Sequence, residues 1–250
     1  GMAVDRSEVF LRVFMGELAF QRGDEREAAR QYALAASVSR DITLVRQALT
    51  MAYQISDDQL AWQLDQHWLK LAPGDRDALR FQAVLEARLG RTADAAQHFE
   101  QMLRAPHGDT YISTAVLLGQ ETDPQHGLPV MQRMVADAPG SAEAHYAYAE
   151  LALHYRHSVL AEQQARATLA IKPQLDSAQL LLARALADQG KYDAALAIIR
   201  PRVQASVKDI PLRLAYAALL AQAGRDAEAS TQFESILKQQ PTNAQALYSA

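Results

Sequence analysis

Residues 78–103 read ALRFQAVLEARLGRTADAAQHFEQML. Apolar residues at helical spacing lead up to Leu89, Gly90 and a polar turn interrupt them, and a second helical run follows. The same helix, glycine turn, helix grammar returns in AQLLLARALADQGKYDAALAIIR (178–200) and LRLAYAALLAQAGRDAEASTQFESIL (212–237). Aligning Gly90, Gly190 and Gly224 with Gly23 sets a frame whose units start at 9, 42, 76, 108, 142, 176 and 210. The spacings are 33, 34, 32, 34, 34 and 34 residues, in the range of stacked helical repeats.

Positions not used to build the frame test it. The twentieth position holds Ala28, Ala61, Ala95, Gly127, Ala161, Ala195 and Ala229, all small. The eighth holds Gly16, Leu49, Ala83, Ala115, Ala149, Ala183 and Ala217. Antiparallel helices approach closely only where a small side chain lets the backbones meet. A larger residue four positions on, such as Tyr32, Phe99, Ile199 or Phe233, then fills the adjoining groove. Pro73, Pro139, Pro173 and Pro241 recur at the thirty-second position, where a proline ends one helix before the next begins.

Composition agrees. Alanine (48) and leucine (32) supply 80 of 250 residues, and strand-favouring residues are thin, which argues against sandwiches, barrels and doubly wound sheets. An apolar fraction of 49% argues against disorder. No cysteine is present, so a disulfide scaffold, a thiolate metal site and a cysteine nucleophile are excluded. A net charge of -4 gives no general attraction to nucleic acid, and no apolar run reaches membrane-helix length. Phosphate loops, dinucleotide fingerprints and nucleophile elbows are absent as motifs. Carboxylates such as Asp24, Asp94 and Asp226 sit at expected helix starts, where capping and dipole complementarity explain them. The chain is therefore expected to be non-enzymatic, with no cofactor and no metal.

The pattern resembles the tetratricopeptide repeat. The resemblance implies an all-α, right-handed α-solenoid of about seven helix–turn–helix repeats over residues 9–243. Residues 1–8 are expected to be a tag remnant and lead-in, and 244–250 the first turns of a further helix, as in a piece of a longer array. Two irregularities are expected. Pro129 predicts a late start for the second helix of repeat four, near Gly127 to Pro129, after a long connection ETDPQHGLP (121–129). Pro201 predicts a kink or an end near Arg200.

In arrays of this type, first-helix positions two, five, nine, twelve and thirteen face a concave groove. Here they include Arg46, Tyr53, Gln54, Arg80, Arg88, Gln120, Tyr146, Glu150, His154 and Arg184, with Gln47 nearby. Arginine and tyrosine are frequent interface anchors, so the implied partner is a protein or peptide. The carboxylate clamp that binds chaperone tails in this family needs lysine at position five and asparagine at nine. Position five holds Val13, Arg46, Arg80, Ile112, Tyr146, Leu180 and Leu214, so that clamp is missing.

Three other features stand out. The first helix is apolar nearly all round, with Phe10, Phe14 and Phe20 among its residues, which predicts burial on more than one side, either against a partner or a second copy or against residues 1–8 or a segment upstream of them. Trp62 and Trp68 read as core filler, Trp68 in the space left by a distorted repeat. His145, His154 and His157 cluster in repeat five, but without metal-site spacing, so His154 and Glu150 read as groove-lining groups.

GELAFQRGDEREAARQYALAASVSRD (16–41), RQALTMAY (46–53) and HWLKLAPGDRDAL (67–79) resemble large repeat proteins of Gram-negative bacteria. Those are outer-membrane lipoproteins facing the periplasm, and at least one kind is an adaptor that presents cell-wall hydrolases to a carboxyl-terminal processing protease. The resemblance implies a periplasmic, non-catalytic adaptor. The alternative is a cytoplasmic assembly or regulatory module that self-associates through Phe10, Phe14 and an open end of the array.

Overall fold

The computed structural model describes residues 6–106, 108–206 and 208–242, so the expectations for residues 1–5 and 244–250 lie outside the described residues. Fourteen helices and no strand are found among the described residues. They fall into two compact units, Gly1–Asp137 and Ala138–Ala250. The first unit contains α1 (Arg6–Gln21), α2 (Glu25–Val38), α3 (Ile42–Gln54), α4 (Asp58–Leu71), α5 (Arg76–Arg88), α6 (Thr92–Arg104), α7 (Tyr111–Glu121) and α8 (Pro124–Asp137). The second contains α9 (Ala142–His154), α10 (Ser158–Ile171), α11 (Asp176–Ala187), α12 (Tyr192–Ala205), α13 (Ile210–Gln222) and α14 (Asp226–Gln239). Within each unit, helices pack mainly against their neighbours in sequence, as in stacked helical hairpins.

The small positions are where the helices touch. Ala28, Ala61, Ala95, Ala161 and Ala195 are fully buried, and Gly127 is buried with them. A Cβ on Gly16 would stand 2.6 Å from the Tyr32 ring, which therefore lies directly on the α1 backbone. Of the three aspartates expected at helix starts, Asp24 caps α2 by accepting the Glu27 N–H at 3.0 Å. Asp94 and Asp226 stand in the first turns of α6 and α14, where they complement the helix dipole without making a cap bond.

A single backbone device closes six of the seven hairpins. Gly23, Gly90, Gly190 and Gly224 all have φ between 71° and 77°. The residue after each of them donates its N–H back to the end of the first helix, as in Asp24 to Ala19 (2.9 Å) and Arg225 to Leu220 (2.8 Å). Ser56 (φ 59°) and Arg156 (φ 60°) adopt the same left-handed conformation without being glycine, and Asp57 and His157 make the same returning bond. The geometry of the hairpin thus overrides residue preference at these two sites.

Repeat four is the exception, for a different reason from the one its prolines suggest. Its fifteenth residue, Thr122, is extended (φ -130°, ψ 165°) rather than left-handed. The chain leaves α7 in another direction, and α8 packs onto α6 and α5 more than onto α7. The expected late start does not occur: α8 begins at Pro124, capped by Asp123, which accepts the His126 N–H at 3.0 Å. Pro124 occupies the first helical position, where no donor is needed, and Pro129 lies in the second turn, where only one helical bond is lost. Of the kink or end expected near Arg200, the end does not occur, for α12 runs through Pro201 to Ala205.

The left-handed residues make a prediction. Ser56→Gly and Arg156→Gly should each stabilise the protein by about 0.5–1 kcal/mol in urea unfolding, because both side chains are exposed and only backbone strain is removed. A loss of stability in both would show that the hairpin turn carries no such strain.

Candidate functional sites

Each unit carries an open cleft lined mainly by the first helices of successive repeats. In the first unit the cleft has a volume of about 290 Å³ and is bounded by Tyr53 of α3, Asp77, Arg80, Phe81 and Val84 of α5, and Leu117 and Glu121 of α7. In the second unit it measures about 490 Å³ and is lined by Tyr146 and Glu150 of α9, Ser177, Leu180 and Arg184 of α11, and Ala215, Ala218 and Gln222 of α13.

The first cleft is built on a ladder of rings and cations. The Arg46 guanidinium lies 5.2 Å from the Trp68 ring centroid, Trp68 is 6.3 Å from Phe81, Phe81 meets Tyr53 edge-on at 5.7 Å, and Arg88 caps Tyr53 at 4.5 Å. Trp68 is buried, so it supports the ladder from within the core. Trp62 is half-buried with Arg91 over its ring at 4.0 Å. Tyr53 donates its phenolic hydrogen to Glu121. Burial, then this carboxylate, pushes the Tyr53 phenol up to about 12, so it remains a donor throughout the physiological range.

The arginines differ in availability. Arg88 donates from Nε to Asp58 Oδ2 at 3.0 Å, its Nη2 lies 2.9 Å from Oδ1 of the same carboxylate as an ion pair, and it also reaches the Glu121 carbonyl at 3.4 Å. Its side chain is only 20% exposed, and it serves to tie α5 to α4. Arg46 and Arg80 stand more open, each facing an acid from the start of the next repeat: Arg46 with Asp77 at 3.8 Å and Arg80 with Asp109 at 3.3 Å. In frame terms, position five meets position two of the following repeat. The second unit repeats this contact with neutral groups, for Tyr146 lies beside Ser177. Tyr146 donates to Glu150 at 2.9 Å, and burial and this carboxylate raise its pKa.

The structure thus brings Tyr53 and Arg80 to one cleft and Tyr146, Glu150 and Arg184 to the other. Arg46 stands on the ladder beside the first cleft. His154 is exposed and stacks edge-on with Tyr155 at 5.2 Å, outside the residues lining the second cleft. His145 is held by Gln164 (2.7 Å) and the Pro139 carbonyl (3.0 Å), while His157 is the N-cap residue of α10. No group of three metal-ligating side chains occurs among the described residues. Phe10, Phe14 and Phe20 are 72%, 53% and 58% exposed. Phe10 and Phe14 stack at 6.5 Å. Sequence reasoning missed Phe81, Glu121, Asp77, Asp109 and Ser177. Opposite charges at positions five and two of adjacent repeats carry the signal for the two aspartates.

These hairpins and clefts define a protein built of tetratricopeptide repeats. No protein-family model matches the chain. A TPR repeat-containing protein of Pseudomonas aeruginosa is 26% identical over 216 residues, 82% of this chain, and the chain spans about a third (35%) of that relative's length. The C-terminal part of a TPR repeat-containing protein from Cytophaga hutchinsonii superposes with a TM-score of 0.50 at 15% identity, covering 94% of this chain and 97% of that one. A tetratricopeptide repeat protein from Parabacteroides merdae gives 0.42 at 17% identity, covering 96% and 83%.

The different burial of the arginines is testable by equilibrium unfolding. Arg88→Ala should cost about 2 kcal/mol, because it strands Asp58 at a partly buried seam. Arg46→Ala, at an exposed pair, should cost less than about 1 kcal/mol.

Proposed function

We propose that the chain is a non-catalytic scaffold whose clefts each hold a segment of a partner polypeptide. Stacked helical repeats generally serve to bind other proteins. The observation that carries the reading is the composition of the clefts. Each combines apolar chains (Phe81, Val84 and Leu117, or Leu180 and Ala218) with a tyrosine and an arginine, and in the first cleft the arginine is already paired, Arg80 with Asp109. Such a surface favours an amphipathic peptide over a highly charged one, and in the first cleft a strongly ionic ligand would have to displace that internal partner.

Site-specific photo-crosslinking tests this. A photoreactive residue at Leu117 or Leu180 should capture a polypeptide from native cells, and one at the exposed second-helix positions Gln97 or Ala197 should not. Equal capture at all four would remove the clefts from the function.

The resemblance of roughly residues 8–80 to periplasmic outer-membrane lipoproteins supports the narrower reading of a periplasmic adaptor that presents substrates to a protease. Cell fractionation of the native protein tests that location. A cytoplasmic, self-associating module is the second reading, and the exposed Phe10–Phe14 stack favours it. If it holds, light scattering at tens of micromolar should show dimers or larger species, and Phe10→Ser with Phe14→Ser should return them to monomer.

A further inference from the structure

Two core positions of the repeat frame are occupied by acids that face one another. Position twenty-four carries buried apolar chains in the other six repeats, large in five of them (Tyr32, Phe99, Met131, Ile199 and Phe233) and Ala165 in the sixth. In the second repeat it is Asp65, on α4, which is 0% exposed. Position eleven holds Ala19, Ala52, Leu118, Ala152, Leu186 and Leu220, and in the third repeat it is Glu86, on α5, also buried. α4 and α5 pack directly against each other, forming the seam between these repeats.

The two acids are treated differently. Glu86 Oε2 is bonded to His98 Nδ1 of α6 at 2.6 Å, a bond that raises the His98 pKa. Neither oxygen of Asp65 has a hydrogen-bond partner. The ionisable groups that act on Asp65 are Glu86 and, from the turn before α5, Asp75, both acidic. On the other neighbouring helices, Arg46 and Tyr53 of α3 belong to the ring ladder, Tyr32 of α2 donates to Glu17, and Arg30 of α2 pairs with Glu27. An ionised carboxylate in such a place has no counter-charge and no donor, whereas a protonated one is close to an ordinary small polar core residue.

We propose that the proton on Asp65 fastens the seam between the second and third repeats, and that the seam loosens as the surroundings turn alkaline. The cleft shares this seam. Trp68, one turn beyond Asp65, carries Phe81, which lines the first cleft. The direction follows from linkage. Burial, then Glu86, pushes the Asp65 carboxyl from 3.8 up to about 8 in the folded chain. Between these values the folded state holds one proton that the unfolded chain has released, so stability falls as pH rises through the window and levels off above it. His98, also raised when folded, acts in the same sense, so a variant is needed to isolate Asp65.

Both tryptophans of the chain, Trp62 and Trp68, lie on α4, so tryptophan fluorescence reports this seam. In urea unfolding between pH 5 and 8, the folding constant of the wild type should fall several hundredfold more than that of Asp65→Asn. Asp65→Leu, which restores an apolar chain at position twenty-four, should be less pH-dependent than the wild type and more stable at pH 8. Parallel pH profiles for the wild type and Asp65→Asn would overturn the proposal. Should the variants fail to fold, the carboxyl carbon resonance of Asp65 in the wild type decides: titration near pH 8 supports the proposal, and titration near pH 4 rejects it.

Discussion

Close approach of two backbones is the constraint on which the rest of the structure depends. Two helices can touch at their axes only where one offers no side chain beyond a methyl group. The buried alanines of the twentieth position and Gly16 of the eighth provide those places. Once the helices are that close, the link between them has room for only a tight reversal. The left-handed residue with its returning bond is the economical solution, and Ser56 and Arg156 accept it although their side chains oppose it. Where Thr122 abandons that conformation, the hairpin opens and α8 finds other neighbours.

Packing this dense commits most of the chain, and it decides what the remaining surface can offer. The first-helix residues facing the clefts are constrained along one side only, so they are free to be aromatic or charged. The charges are then met locally. Arg88 is absorbed by Asp58, and Arg80 is offset by Asp109. The first cleft is consequently apolar in its floor and balanced at its rim, a combination suited to selective but not strongly salt-driven recognition.

The fold was legible in the sequence because its periodicity is enforced by sterics at many points at once. The twentieth-position alanines and the turn glycines each point to the same frame. Local breaks were less legible. Proline at 129 is costly only if its missing donor falls deep in a helix, and this depends on where Asp123 sets the helix start, a choice made by capping rather than by the proline. The cleft was partly legible, since Tyr53, Arg80, Tyr146 and Arg184 follow from position alone. Whether an arginine is free or absorbed does not, because it depends on partners some 30 residues away, such as Asp58 for Arg88. Asp65 stood in plain view in the frame, but an acid in a core slot becomes informative only when its burial and lack of partners are known.

The latch between position five of one repeat and position two of the next has a bearing on how such arrays change length. Arg46 and Arg80 each take their counter-charge from the repeat that follows. Only the third repeat carries both partners, Asp77 at position two and Arg80 at position five, so loss of that whole repeat removes one anion with one cation and leaves Arg46 to meet Asp109. Loss of the second or the fourth repeat would instead leave Asp77 or Arg80 uncompensated.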